Sequence, residues 1–486
     1  MAAVFESLYA IKTNSQNVIQ LSPQQIVDCS SDGNLSRAVH KPMRKIIANN
    51  IPYNFIVGFL FAHKNPTMKL YGILFAIIFL IGLCTARDKF LGRTSLQNYV
   101  DSFVNTGELK YQGVLSLNNT VLRKIWSFFK AKYRRLYSST GEERTRLRLF
   151  RDHLIYVLKS NLKKIHTYRL GLNEFSDLTL AEFRALKTGL KISRSSRRDF
   201  IEDDSNDDEL QRSSSKLYQR YYHARRLKRN LKTRQYKDRQ FFDDGFEQFF
   251  NRDNDNNNTD QQSNGFEWRK KNVVGPIRSQ GQCGSCYAFA MAAVFESLYA
   301  IKTNSQNVIQ LSPQQIVDCS SDGNFGCNGG DFLPTVNYLS AKGGKIATEA
   351  SYPYGVKEDS CRKNDINEIE LGQVEYEEIP VGDEQKLAEA LTNNGPMYIA
   401  FDAMHKDFMY YQSGVLEIDS CRNDPYILSH AMTLVGYGYD EELQKPYWII
   451  KNSYGTDWGE NGYLRVAKDA GNMCGVASWA YSTKLT

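Results

Sequence analysis

Seven cysteines fall between Phe266 and Thr486: Cys283, Cys286, Cys319, Cys327, Cys361, Cys421 and Cys474. Seven is odd, so in an oxidising compartment at most three disulfides form and one thiol is left over. The stretch must fold as a cross-linked body that keeps one sulfur apart. The compartment is legible upstream. Met68-Lys69 leads into LYGILFAIIFLIGL and then Cys84-Thr85-Ala86, the charged, apolar and small-residue layout of a secretory signal peptide. The apolar run, about 14 residues, is shorter than the roughly 20 that a membrane-spanning helix needs, so no permanent membrane anchor is expected. If translation starts at Met1 the segment is internal, and Arg44, Lys45 and Lys69 ahead of it still direct the downstream chain into the lumen.

The candidate for the unpaired sulfur lies in QGQCGSCYAFAMAAVFESLYA, residues 280–300. A glycine-rich turn gives way there to an apolar, alanine-rich stretch with Phe289, Ala293, Ser297 and Ala300 on one helical face. Cys286 then sits at a helix N-terminus, where the helix dipole favours the thiolate, the nucleophilic form. A C-x-x-C pair also occurs in redox motifs and zinc sites. Zinc requires a second tight Cys/His pair and a redox motif a βαβ setting, and neither is present; no metal and no cofactor is expected. A thiolate nucleophile needs a base, and residues 266–486 hold two histidines. His405, in FDAMHKDFMYYQSGV, reads as structural. His430 opens HAMTLVGYGY, a glycine-punctuated apolar run that reads as a core strand with the histidine at its mouth. Asn452, between PYWIIK and SYGTDWGENGY, is the polar candidate for orienting it, and Cys, His and Asn far apart in sequence can make the triad of acyl-transfer chemistry.

QGQCGSCYAFA, GCNGG at 326–330, SHAMTLVGYG and KNSYGTDWGENGY closely resemble the four motif blocks of papain-like cysteine peptidases of the cathepsin L type, in order, over residues 266–486. The resemblance implies an α+β, papain-like two-lobe fold, a helical lobe holding Cys286 and a β-barrel-like lobe holding His430 and Asn452. It implies Cys286 as nucleophile, His430 as base and acid, Asn452 as its orienter, and Gln280 with the Cys286 backbone N–H as the oxyanion hole. Such a donor typically contributes a hundred- to thousand-fold in rate. It also implies the pairings Cys283–Cys327, Cys319–Cys361 and Cys421–Cys474. Gly329 and Gly330 would let an extended substrate backbone pair strand-like. The pocket for the side chain two residues before the cut would draw on Phe332, Ala431 and Trp479, with Asp331 near its rim, and favour apolar or aromatic side chains. Trp458 would stand beside the primed side. Two positions depart from the family: Tyr287 follows the nucleophile and Tyr454 stands two residues after Asn452, where tryptophans are usual. The second indole normally shields the His–Asn hydrogen bond, so the phenol is expected to shield less well.

Upstream, Glu142, Arg146, Phe150, His153, Val157 and Asn161 recur at steps of three and four, which stacks them on one helix face. They resemble the interspersed E-R-F-N-I-N motif of the family's inhibitory propeptide, with His153 and Val157 as replacements; GLNEFSD at 171–177 matches its second motif. The expected organisation is a signal peptide at 68–86, a mainly helical propeptide at 87–190, a linker at 191–265 and the peptidase at 266–486. Ser, Asn, Asp and Arg dominate the linker, a composition of disordered, protease-accessible chain. Asn118 and Asn257 begin glycosylation sequons. Residues 266–486 hold 18 Lys+Arg against 28 Asp+Glu, a charge of −10 that leaves +17 for residues 1–265. Charge attraction between propeptide and peptidase, weakening in acid, is the expectation. No nucleic-acid motif accompanies the basic half.

Residues 1–34 repeat residues 291–324 without a substitution. The second copy carries the helix after Cys286 and then Cys319. The first lacks CGSC, GCNGG, His and Asn, so 1–67 is expected to be no folded domain, a duplication or mis-joined segment ahead of a functional start at Met68. The sequence therefore reads as a self-inhibited zymogen of a cysteine endopeptidase in the secretory pathway, lysosomal, vacuolar or extracellular, acting on proteins or peptides, with its own propeptide as intramolecular inhibitor. An inert, peptide-binding homologue is the rival; the four intact catalytic positions argue against it.

Overall fold

A computed structural model of the chain describes residues 94–109, 111–112, 114–115, 118–163, 166–192 and 265–486. The duplicated segment 1–67, the candidate signal peptide, Asn257 and nearly all of the candidate linker lie outside the described residues. The described chain divides after Ser138 into two units. In the first, helix α1 (Leu96–Asn105) starts where the Ser95 hydroxyl accepts from the Asn98 N–H. Strands β1 (Tyr111–Gln112) and β2 (Val114–Leu115) pair antiparallel. Helix α2 (Asn119–Lys132) starts at Asn118, the sequon asparagine, whose side-chain oxygen accepts from Thr120 N–H. Tyr99 stacks on Phe128 at 4.2 Å, over a core of Val100, Ile125 and Phe129.

The second unit opens with α3 (Thr140–Lys163), whose sequence spacing now has a structural use. Phe150, His153, Leu154 and Val157 are buried along one face. The polar positions of the same stripe tie the helix to residues 170–182. Arg146 donates to Glu182 at 2.7 Å and to the Asp177 carbonyl at 3.1 Å. His153 Nδ1 donates to the Ser176 carbonyl at 3.0 Å, and Asn161 exchanges two bonds with the Leu170 backbone. Strand β3 (Tyr168–Leu170) comes next, then α4 (Leu180–Lys187), closed at its start by a reciprocal Thr179–Glu182 capping box.

The remaining elements form the body on which this prosegment lies. Strand β4 (Phe266–Glu267) leads to the central helix α5 (Cys286–Lys302), then α6 (Pro313–Cys319) and α7 (Phe332–Ala341). Strands β5 (Lys345–Ala347) and β6 (Glu368–Glu370) make a small ribbon, and β7 (Val374–Glu378), α8 (Glu384–Asn394), β8 (Met397–Phe401), α9 (Lys406–Met409) and β9 (Tyr411–Leu416) lead into the sheet. Its last strands are β10 (His430–Asp440), β11 (Lys445–Lys451), β12 (Tyr463–Ala467) and β13 (Ala480–Leu485). Helix α5 is apolar all round and almost wholly buried, as a helix must be when it packs on both its helical neighbours and a sheet. It runs against α6 and α7 on one side and β10, β8 and β13 on the other. The sheet order is β3-β9-β12-β11-β10-β8-β13-β7, with β4 also on β10. The architecture is α+β, with helices gathered around α5 and strands on the opposite side. Disulfides Cys283–Cys327 and Cys319–Cys361 cross-link the helical side and Cys421–Cys474 the sheet side. The edge strand β3 belongs to the prosegment, pairing antiparallel with β9 through Tyr168–Gly414 and Arg169–Ser413.

Candidate active site

Cys286 is the free cysteine among the described residues. It is the first residue of α5, because Gly284 and Ser285 bring the chain into the helix from a turn closed by Cys283–Cys327. The sequence leads one to expect an ionised sulfur here; the structure corrects that for the prosegment-bound form. The sulfur is fully buried, and burial pushes its pKa up to about 11. Backbone N–H groups of Ala431, Gly189, Tyr287 and Cys286 itself oppose that rise but do not overcome it. A desolvated thiolate without a paired cation is too costly to persist.

His430 is the first residue of β10, and its neighbour Ala431 lends the backbone N–H that lies against the Cys286 sulfur. Its Nε2 is 2.8 Å from Asn452 Oδ1, and that same oxygen accepts the Ser453 N–H at 2.7 Å. The double use orients the amide with its oxygen toward both donors, so His430 carries its proton on Nε2 and its unprotonated Nδ1 faces the Tyr454 hydroxyl at 3.4 Å. Burial lowers the His430 pKa to about 4; the Asn452 bond opposes this, and the nearby Lys187 charge adds to it. Both reactive groups are therefore neutral under the prosegment.

Gln280 is buried, with Nε2 donating to the Cys283 carbonyl at 2.8 Å and to the prosegment's Lys187 carbonyl at 3.2 Å. Its Oε1 accepts from the Ser453 hydroxyl at 2.7 Å. Ser453 thus steadies Gln280 through its hydroxyl and Asn452 through its N–H, a double role the sequence reading missed; its position between Asn452 and Tyr454 was the signal. Tyr454, expected as a weaker shield, stacks on the imidazole with centroids 4.8 Å apart. Trp458, Phe408 and the prosegment's Phe175 and Phe183 surround it edge-on. Its hydroxyl, buried with the ring, donates to the Lys187 carbonyl at 3.0 Å. Tyr287 donates to the Gly326 carbonyl and is also buried.

Residues 187–191 lie over these groups. Gly330 N–H donates to the Gly189 carbonyl and Lys191 N–H to the Gly330 carbonyl, a parallel pairing of Leu190 with Gly330. A Cβ at Gly189 would come within 1.8 Å of the Gly284 carbonyl oxygen, so only a bare backbone passes here. Leu190 joins Phe332, Ala431 and Trp479 in one buried apolar cluster with Cys286. Asp331, expected at a pocket rim, is buried instead, accepting from Phe332 N–H, Trp479 Nε1 at 3.0 Å and Tyr398 at 3.3 Å. Burial raises its pKa to about 7. Trp458 donates to the Phe408 carbonyl and is buried in this form. His405 pairs with Asp402 at 3.0 Å, away from Cys286. Asp402, His405 and Cys421 come within 4.8 Å of one another, but Cys421 is committed to its disulfide and cannot serve as a thiolate ligand.

Known proteins are similar to this chain over most of its length. Residues 262–484 match the family model for papain family cysteine proteases, and residues 126–183 match the cathepsin propeptide inhibitor domain. Digestive cysteine proteinase 1 of Homarus americanus is 33% identical over 73% of this chain and 92% of its own. The cathepsin L-like proteinase of Phaedon cochleariae is 33% identical over 76% of this chain and 95% of its own. The solved structure of digestive procathepsin L2 proteinase from Tenebrio molitor larval midgut has a TM-score of 0.57 at 28% identity, covering 75% of this chain and all of that one.

Proposed function

Because this chain belongs to the papain family of cysteine proteases and carries a cathepsin-type inhibitory propeptide, we propose that, once the prosegment leaves, it is an endopeptidase acting through Cys286, His430 and Asn452. In this reading His430 Nδ1 takes the Cys286 proton, the sulfur attacks the scissile carbonyl, and the new oxyanion is held by Gln280 Nε2 and the Cys286 backbone N–H. The imidazolium then gives its proton to the leaving amine, and water admitted to the site hydrolyses the acyl-enzyme by the reverse transfer. Asn452 fixes the tautomer this sequence requires.

One observation carries the reading: the Lys187 carbonyl of the chain's own prosegment is gripped by Gln280 beside the free thiol, as a substrate carbonyl would be. Gly329 and Gly330 supply the backbone edge, and a substrate would run opposite to the parallel prosegment, which shields the latter from cleavage. Leu190 in the Phe332, Ala431 and Trp479 cluster supports a preference for an apolar side chain two residues before the cut, and Trp458 is assigned to the primed side. The propeptide is assigned to 87–190, the activation linker to 191–265 and the peptidase to 266–486. Three disulfides among the described residues, and relatives named as digestive proteinases, support a secretory, lysosomal, vacuolar or extracellular site. No helix among the described residues is long and apolar enough to cross a membrane. Acid-activated protein should cleave peptide amides with Leu or Phe at that position at least tenfold faster than those with Asp. Loss of all cleavage in Cys286→Ala is required; a Cys286→Ala variant that still cleaves refutes the assignment.

A further inference from the structure

The Lys187 carbonyl oxygen is held by two side-chain donors at once, Gln280 Nε2 at 3.2 Å and the Tyr454 hydroxyl at 3.0 Å. A carbonyl oxygen has two lone pairs and accepts both. The same hydroxyl lies 3.4 Å from His430 Nδ1, so it stands where the bound carbonyl, Gln280 and the imidazole meet. Three of the Tyr454 ring contacts do not depend on the prosegment. The ring is stacked on His430 and braced by Phe408 and Trp458, all from the catalytic body; Phe175 and Phe183 depart with the prosegment. In the covered form burial drives the phenol pKa well above its ordinary value; with the cover gone, the ordinary tyrosine value of about 10 still keeps the proton on the hydroxyl in the neutral and acid range.

Resting on the peptidase reading above, we propose that Tyr454 is a further catalytic residue: its hydroxyl joins Gln280 on the oxygen of the scissile carbonyl and strengthens that bond as the oxygen becomes negative. As the Cys286 sulfur bonds to carbon, the carbonyl π pair moves onto oxygen, and the Tyr454 proton stays on the phenol while hydrogen-bonding that oxygen. When the pair returns, the C–N bond breaks and the amine takes its proton from His430, so Tyr454 transfers none. A buried donor fixed beforehand stabilises developing charge without reorganising at the moment of reaction. A tryptophan offers no hydroxyl, so this donor is peculiar to a chain with tyrosine at the position.

The test compares wild type with Tyr454→Phe, both activated from the full zymogen. It measures kcat and KM on a peptide amide, affinity for a peptide aldehyde, and the rate of Cys286 alkylation by a peptidyl epoxide. The aldehyde forms a hemithioacetal whose oxygen resembles the oxyanion; the epoxide is opened at a saturated ring carbon, so no carbonyl oxygen becomes an oxyanion. Tyr454→Phe should lower kcat about 10- to 100-fold with KM within about twofold, and weaken the aldehyde by a similar factor. This is less than the typical loss on removing a sole donor, since Gln280 remains. Epoxide alkylation should stay within about twofold, which shows an intact thiol and imidazole. Unchanged kcat and aldehyde affinity overturn the proposal, and so does an equal loss in aldehyde affinity and epoxide rate, which marks a role in the fold or in orienting His430. Wild type that neither cleaves peptide nor takes up epoxide refutes the peptidase reading itself, before the variant is compared.

Discussion

Burial is the main force that silences the reactive pair, with the Lys187 charge adding to it at His430. The prosegment excludes water from Cys286 and His430, and each adopts its neutral form, with pKa values of about 11 and about 4. A helix N-terminus contributes only a fraction of a unit charge, too little to ionise a thiol with no water to support it. Iodoacetamide at pH 7 should therefore alkylate Cys286 at least about 100-fold more slowly in the zymogen than in the activated protein, as read by mass spectrometry; equal rates refute the neutral pair. Asp331 obeys the same logic with the opposite consequence for stability. Its pKa is raised to about 7 in the fold from near 4 in an unfolded chain. The stability it contributes is complete below about pH 4 and is lost as pH rises through 7. Asp331→Asn keeps an acceptor for Trp479 and Tyr398 and removes that loss. Its melting temperature relative to wild type should climb by several degrees, roughly 3–8 °C, between pH 4 and pH 8; a constant difference across that range refutes the assignment.

At the scale of elements, the prosegment is held by a strand, a carboxylate and a stretch of bare backbone. Strand β3 extends the sheet edge at β9, while Asn173 donates to the Met409 carbonyl and Gly171 N–H to that of Tyr410. Tyr156 and Tyr168 both donate to the Asp407 carboxylate, at 2.5 and 2.7 Å. Hydrogen bonds to a charged acceptor contribute about 1.5–3 kcal/mol each in folded proteins. Asp407→Ala should speed zymogen maturation roughly 10- to 100-fold at fixed pH, monitored by the loss of precursor on gels. No acceleration would show that the two tyrosines contribute nothing to the hold. The interspersed motif in α3 was legible because a helix puts steps of three and four on one face. Its polar members proved to be braces onto the 170–182 turn, contacts that cross the prosegment and leave no local trace in α3 itself.

For the whole molecule, the charge asymmetry led to an expectation of acid release through protonated carboxylates on the peptidase. The buried histidine adds a second route with a defined window. His430 is held at about 4 under the prosegment and returns toward its ordinary 6.5 when the cleft opens, so the closed form favours the neutral imidazole. The hold is complete above about pH 6.5 and weakens as pH falls from 6.5 to 4. Maturation should speed up at least about tenfold between pH 7 and pH 4.5. A flat pH profile for the purified zymogen would remove both routes.

Local residue patterns set the elements: a helix starting at the cysteine where glycine gives way to alanine, a strand starting at the histidine, an odd thiol, and a prosegment helix striped by its spacing. These are local, set by backbone geometry and residue period. Long-range packing sets the protonation of Cys286 and His430, the burial of Asp331, and the meeting of the Tyr454 hydroxyl with a carbonyl 267 positions away. Solvation and long-range hydrogen bonding depend on what covers a group, and here the cover is a separate stretch of the same chain, brought in by folding.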